Sequence, residues 1–445
     1  MKKSIYLAAL AALALTACSN DDSEIFDQSA AERLEQYKKD YADVLTADGG
    51  LWSMEYFSNP DEHGYVFVMK FDKNGSVEIS ANHEWIGGTF KQETSLWKMI
   101  ADNGPVLSFN SYNNLFHIFS DPANITGPNA PTGENGDINE TGYGHEGDYE
   151  FQVMEVLDEG KTVRLLGKKR MYDIFLHRLD PATDAAAYLQ KSVDAANCES
   201  SHFGYLNLIA PDGEEFVLTG FSSGVVSAYP KLGDAITQTR TSNGIFTTEG
   251  FRFMNPFEIA REENSGLEDL TVETFAFQED GSLLSPDGSR IVGPHAFDVF
   301  INNTLDYKWE IDLDDCSGEY ATLVQTLKDG IKAAYPTREL ESVYFGYDVL
   351  DGKTVPSLGV TIKGTKAAVY YLEYDSASPE AIKFNVTGFN SQASTIAKKT
   401  NAIAVFAEAL SAISFRVSSE DVMKPDSLDV VDIANSNSYM VVKVN

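Results

Sequence analysis

The chain has 445 residues, 43% of them apolar, which is enough to build real cores and a length that suits two or three domains. Asp and Glu number 67 against 34 Lys and Arg, a net charge of −33, and no basic patch stands out. Such a surface repels phosphate backbones and anionic headgroups, which argues against nucleic acid as a partner and fits solubility outside a cell.

Lys2 and Lys3 precede an apolar run, Ile5 to Leu15, that ends in Leu15-Thr16-Ala17-Cys18. A basic start, a short apolar segment and small residues before a cysteine predict a lipoprotein signal peptide over residues 1–17, with lipid attached to Cys18 after cleavage. The run is too short to span a bilayer as a permanent helix. Residues 18–28 then form an acidic tether containing Asp21, Asp22 and Glu24. This tether resembles the surface-export signal of Bacteroidetes lipoproteins, which implies an outer-membrane lipid anchor facing the cell exterior. A plain flexible linker has the same composition.

Ser29 to Leu45 has apolar residues at helical spacing and ends at Gly49-Gly50. The texture then changes to strands. Trp52, Met54 and Tyr56 alternate with polar residues, and Tyr65 to Phe71 turns through Asn74-Gly75 into Val77-Glu78-Ile79, a strong hairpin signal. Strands are expected at Thr94 to Ile100, Val106 to Phe109, Leu115 to Phe119, Tyr149 to Val156, Thr162 to Leu166 and Met171 to Leu179. A long Gly-, Asn- and Pro-rich loop runs from Asp121 to about Gly147. Many short strands at regular spacing suit an up-and-down barrel of the lipocalin type, or a sandwich.

Pro181 to Cys198 reads as a second helix, capped near Ala182-Thr183-Asp184. Strand-like runs follow at Phe203 to Ile209, Phe216 to Thr219, Val225 to Ala228, Asp234 to Thr239, Gly244 to Met254 and Leu270 to Phe277. Helix then meander occurs twice, a weak internal repeat. The end of the chain mixes a helix at Glu319 to Ala334, strands at Ser342 to Tyr347, Ser357 to Lys363 and Ala367 to Tyr374, a helix at Ile396 to Ile413 and a last strand at Tyr439 to Val444. The expected fold is α+β and mainly antiparallel β: two helix-plus-meander domains, 29–180 and 181–310, and a C-terminal α+β domain, 311–445.

Ala31-Glu32-Arg33-Leu34, Trp52-Ser53-Met54-Glu55-Tyr56, Phe67-Val68-Met69-Lys70-Phe71-Asp72 and Gly104-Pro105-Val106-Leu107-Ser108-Phe109 occur in this order. Tyr112-Asn113-Asn114-Leu115-Phe116-His117, Gly147-Asp148-Tyr149-Glu150-Phe151 and Leu166-Gly167-Lys168-Lys169-Arg170 follow them. Together they resemble the Bacteroidetes lipoprotein family catalogued as domain of unknown function 4302, most densely over 29 to 180. That family has no assigned activity, so no catalytic residue is carried over. The resemblance implies a lipoprotein encoded beside outer-membrane nutrient-uptake pairs of the starch-utilisation type. It therefore implies a TonB-dependent importer and its surface lipoprotein as partners, but says nothing of the ligand; a glycan or a peptide is the separate expectation for a binding protein of this kind.

The chemistry-bearing motifs are few. His83-Glu84 and His145-Glu146 lack the second histidine of a zinc-protease helix, and neither a nucleophile elbow nor a phosphate-cradling loop is present. No cofactor is implied, and Cys198 has only His202 nearby. The acidic loop residues Glu134, Asp137, Glu140, Glu146 and Asp148 offer hard oxygens for calcium, but a solvated loop explains the same composition and the spacing is not that of an EF-hand. Cys198 and Cys316 either form one disulfide or stay as two separately buried thiols. Among 4 Trp, 21 Tyr and 26 Phe, Trp85 at a strand end before Gly87-Gly88 is the candidate ligand-facing aromatic, while Trp52 belongs to a core by alternation. Three readings stand: an accessory ligand- or partner-binding lipoprotein, a structural or adhesion module without a pocket, and a hydrolase as the weakest.

Overall fold

The computed structural model of the protein describes residues 29–121, 145–231, 240–261, 266–301 and 307–445. The signal peptide with Cys18, the acidic tether, the loop carboxylates Glu134, Asp137 and Glu140, and the strand expected at 234–239 lie outside the described residues. The chain is mainly antiparallel β. It forms two compact units, Met1–Ser192 and Val193–Asn445.

The first unit opens with helix α1 (Ala30–Thr46), started by a capping box. Ser29 Oγ accepts from the Glu32 N–H, and the Glu32 carboxylate accepts from the Ser29 N–H at 2.9 Å. The last turn of α1 carries no basic residue. Arg178, at the end of β9 (Asp173–Arg178), supplies that charge from outside. Its guanidinium donates to the carbonyls of Val44 and Ala47 at 2.9 and 2.7 Å and to Gly160 at 2.8 Å, and lies 4.3 Å over the Trp52 ring. Trp52, on β1 (Leu51–Tyr56), donates its indole N–H to the Leu45 carbonyl at 2.8 Å. Strands β1 and β9 pair with each other, so the two residues together hold the helix end against the sheet.

Nine strands form this sheet as an up-and-down meander in which β9 returns to pair with β1. Its two edges are β4 (Lys91–Leu96) and β5 (Lys98–Ala101), separated in the chain by Trp97 alone. The sheet must therefore curl until its edges meet at that corner. The single strand expected over Thr94 to Ile100 is thus two strands. Trp97 breaks it because its N–H bonds to the Gly75 carbonyl at 2.9 Å and its ring packs on Phe71 at 5.1 Å. The strand expected at Leu115 to Phe119 is instead a turn running into a short 3-10 helix, His117–Phe119. Asn113 Oδ1 accepts from the Leu115 N–H and starts that turn, and its whole apolar run is buried without alternation. The concave side is filled by rings. Tyr56, Phe67, Phe109, Phe116, Phe119 and Phe151 are each at most 1% exposed and meet mainly edge to face.

Helix α2 (Ala185–Ala196) begins in the first unit, where Leu189 packs on Leu51 and Val68. In the second unit the second sheet, β10 (Tyr205–Ile209) to β17 (Arg290–Val292), is a closed eight-stranded barrel, called the second barrel after its place in the sheet order, and the third sheet, β18 (Trp309–Cys316) to β25 (Tyr439–Val444), is another, the third barrel. Both run in chain order around the barrel, so closure by β10–β17 and β18–β25 pairs removes every free edge. The run expected as one strand over Gly244 to Met254 is a hairpin, β13 (Arg240–Phe246) and β14 (Gly250–Ile259). The C-terminal segment holds a full barrel, with α3 (Ala296–Phe300) before it and three helices within it. These are α4 (Gly318–Ala334), α5 (Ser391–Ala397) and α6 (Ala402–Ser411), the last two replacing the single helix expected over Ile396 to Ile413. Gly330 lets α4 approach α6, because a Cβ there would stand within clashing distance of the Ala402 methyl. The two barrels share packing: Met423 from the third sheet's loop is buried in the second barrel's core, and Phe203 stacks on Trp309 at 6.0 Å.

Arg178→Lys keeps the charge but loses the fork and the flat face over Trp52. It should cost about 1–3 kcal/mol in chemical denaturation of the first unit. An unchanged midpoint would show that the guanidinium contributes nothing beyond charge.

Candidate functional site

Trp85 sits in a one-turn 3-10 helix, Glu84–Ile86, directly after β3 (Ser76–Ala81), and Gly87 follows in the left-handed region at φ 95°. It is 7% exposed, and its indole N–H donates to the Tyr65 hydroxyl at 2.7 Å. It is a wall of a buried polar cluster and presents no open platform. Neighbouring members come from β2 (Tyr65–Phe71), from the segment before it and from the chain that returns at His145.

The cluster is organised by two carboxylates. Glu62 receives His145 Nδ1 at 2.7 Å, the Tyr65 hydroxyl at 2.6 Å and the Asn59 amide. Glu84 receives His63 Nε2 at 3.1 Å, and the His63 ring lies 4.5 Å from Tyr65. Burial alone would raise the Glu62 pKa, but the bond and charge of His145 hold it below the usual value. Burial likewise opposes charge on His63, and the Glu84 carboxylate overcomes it, so the His63 pKa is raised. His145 is fully buried between Trp85 at 4.4 Å and Phe119 at 5.0 Å, and its Nε2 has no hydrogen-bond partner among the described residues. His83 bonds the Leu115 carbonyl through Nε2 at 2.9 Å, and its Nδ1 is also unpartnered.

Chemically these are two carboxylate–imidazole pairs, one sealed at His145 and one about a third exposed at His63 and Glu84. Glu62 fixes the His145 ring and leaves Nε2 as its free end, the geometry of an oriented base, but a ring with no exposed surface cannot meet a solute. Sequence reading stopped at the failure of the His-Glu pairs to match a zinc motif. The structural pairs cross the sequence pairs: Glu62 serves His145 and Glu84 serves His63. Three histidines each adjacent to a glutamate within one unit were the available signal.

The other candidates have structural partners. Cys198 and Cys316 are free thiols, so the disulfide alternative is corrected. Cys198 is buried in the second barrel's core, where burial pushes its thiol up to about 12, and Cys316 Sγ donates to the Asp312 carbonyl at 3.2 Å. Asp148 accepts the N–H groups of Lys169 and Arg170, both at 2.8 Å, and Glu146 pairs with Arg170. Among the described residues no group of three or more His, Cys, Asp or Glu side chains is placed to hold a metal ion. An open groove of about 760 Å³ on the third barrel is lined by Asp315, Glu420, Asp421, Asp426 and Asp429, with Lys424 and Lys443 beside them. Partial burial and the nearby Glu420 and Asp315 raise the Asp429 pKa.

Removing Glu62 strands three donors in a buried site. Glu62→Ala should cost about 3–5 kcal/mol, and a double-mutant cycle of Glu62→Gln with His145→Gln should give a coupling of about 1–3 kcal/mol. Additive effects in urea denaturation would dissolve the pair as an energetic unit.

No curated protein matches the chain. A solved structure, kievitone hydratase from Nectria haematococca, aligns over 90% of each chain at 9% identity with a TM-score of 0.12, too low to carry any argument about fold or activity. A family described as "Domain of unknown function (DUF4302)" matches residues 22–270. That span covers more than half the chain and holds the whole polar cluster and most of the second sheet, and the chain is a member of the DUF4302 family.

Proposed function

We propose that this chain is a lipid-anchored protein of the outer membrane, facing the cell exterior, that works by presenting its outer surface to a macromolecular partner. The partner is a component of an outer-membrane nutrient importer. One observation carries the choice of surface over pocket: the concave side of the first sheet is filled by six aromatic rings, each at most 1% exposed. The interior of the third barrel supports the same reading, since the void among Trp309, Tyr347 and Tyr374 is only about 10 Å³, room for one water, while its groove of about 760 Å³ lies open on the outer surface and is lined mainly by charged side chains. Small-molecule sites are usually clefts of roughly 300–1,000 Å³ with apolar walls. A structural or adhesion module is favoured by the same filling, and it differs in needing no importer.

The anchor rests on the basic, apolar and small-residue pattern ending at Cys18. Among the described residues no helix is long and apolar enough to cross a membrane, so a lipid is the tether this reading requires. Cys18→Ala should leave the membrane fraction, and retention at the wild-type level would remove the anchor. Replacing Asp21 and Asp22 with Ala should reduce protease access on intact cells. Cross-linking and pulldown from native membranes should recover an importer component with wild-type protein. Recovery of none, with lipidation intact, would favour the adhesion module.

A further inference from the structure

The buried cluster holds three imidazoles but only two carboxylates. Glu62 is taken by His145 and Glu84 by His63. Among the described residues His83 is left with a single backbone carbonyl, that of Leu115, on its Nε2, and nothing on Nδ1. Its ring is packed edge to face against Phe67 at 5.7 Å, Tyr65 at 5.7 Å and Phe119 at 5.0 Å. We propose that His83 is an acid-sensitive lock on this end of the first sheet: neutral, it fits its site, and protonated, it keeps its bond to Leu115 but strands a second N–H on Nδ1, so that opening of the Leu115 turn is favoured.

The titratable groups facing His83 are few and they set the sign. From the segment around β2 come Glu62, His63 and Tyr65, from its own turn Glu84, and from the returning chain His145. The Leu115 segment offers only its carbonyl. A second N–H on His83 would find no acceptor, in a site less than 9% exposed, beside two imidazoles that already hold the carboxylates. Burial is the largest effect and, with His145 and His63 adding to it, pushes the His83 pKa down to about 4.

An imidazole held below its unfolded value of 6.5 takes up its proton more readily once the site opens. Its stabilising contribution is complete above about pH 6.5 and is lost as pH falls toward about 4. The raised His63 contributes fully below 6.5 and loses part of this as the pH rises to 7, so it has the opposite sign and can only reduce the fall read between pH 7 and pH 5. The lowered Glu62 and Glu84 keep their contributions down to about 4.5. His117, on the released turn, is also held down by burial, and it shares the sign. What opening frees is the turn carrying Phe116 and Phe119, two of the rings that fill the sheet. The lock thus couples one proton to the packing of the interior.

The test is native-state hydrogen exchange at the amides of residues 116–119, corrected for intrinsic rates, at pH 7 and pH 5, in the full chain. Wild-type protection should fall roughly 20-fold, the ratio set by proton uptake between values of about 4 and 6.5. In His83→Gln the fall should shrink to less than about 3-fold, while His117→Gln should keep most of it. No fall in the wild type overturns the proposal, and so does a full fall in His83→Gln or its disappearance in His117→Gln. Should His83→Gln fail to fold, an NMR titration of the wild-type His83 ring decides: a value near 6.5 in the folded chain overturns the lock.

Discussion

The interior of the first sheet is built around the ring of Tyr56. Four aromatic rings, those of Phe67, Phe116, Phe119 and Phe151, stand 5.2–6.2 Å from it. Its hydroxyl donates to the Asp148 carbonyl at 3.1 Å, which satisfies the one polar atom that the ring brings inside. Full burial of such a side chain is worth about 1.5–3 kcal/mol, and edge-to-face pairs add to that. The same ring dictates its neighbour: a Cβ on Gly147 would collide with the Tyr56 hydroxyl, so only glycine fits between the returning chain and the core. Asp148 then reaches outward to the N–H groups of Lys169 and Arg170 and fixes the turn before β9. One buried phenol thus ties β1, the 3-10 turn and the returning chain into one packed body.

The polar cluster lies against this aromatic core and shares Phe119 and Tyr65 with it. Buried polar groups destabilise unless they are satisfied, and here satisfaction is nearly one to one. Tyr65 shows how tight the matching is: it donates to Glu62, accepts from Trp85, and stacks on both His63 and Phe119. The two nitrogens without partners, on His83 and His145, are therefore the exceptions that distinguish this cluster from ordinary core polarity.

Much of the fold was legible because its elements carry local signals. The Asn74-Gly75 hairpin, the alternation in β1 and the periodicity of α1 and α4 each state their own period. The failures share a cause. Thr94 to Ile100 and Gly244 to Met254 are β-prone runs, the first broken by a long-range bond of Trp97 to Gly75 and the second by a local turn closed between Thr247 and Gly250. The strand that closes the second barrel, Arg290–Val292, is too short to carry a pattern, and the one that closes the third, Tyr439–Val444, is legible as a strand but carries no local sign of its partner. The site was less legible still. Trp85 drew attention as an aromatic at a strand end, which is where it lies. The carboxylate pairings of its neighbours, however, join residues 21 and 83 positions apart in the chain.

Closure also constrains how a partner can be recognised. A barrel with no edge cannot accept an added strand, so the second unit's two barrels offer only side chains and loops. The first sheet does have edges, and both are attended to. Asn113 donates to the Glu93 carbonyl of β4, and Asn114 binds the Glu93 carboxylate through its N–H and its amide at 2.9 and 3.0 Å. Helix α1 lies against β5. With its edges covered and its concave side filled, the first sheet would offer a partner only exposed side chains on an acidic surface. On the third barrel that surface gathers carboxylates at Asp315, Glu420 and Asp429, where partial burial and the two neighbouring carboxylates raise the proton affinity of Asp429. A partner that docks there must bring positive charge, and its association must weaken as salt rises.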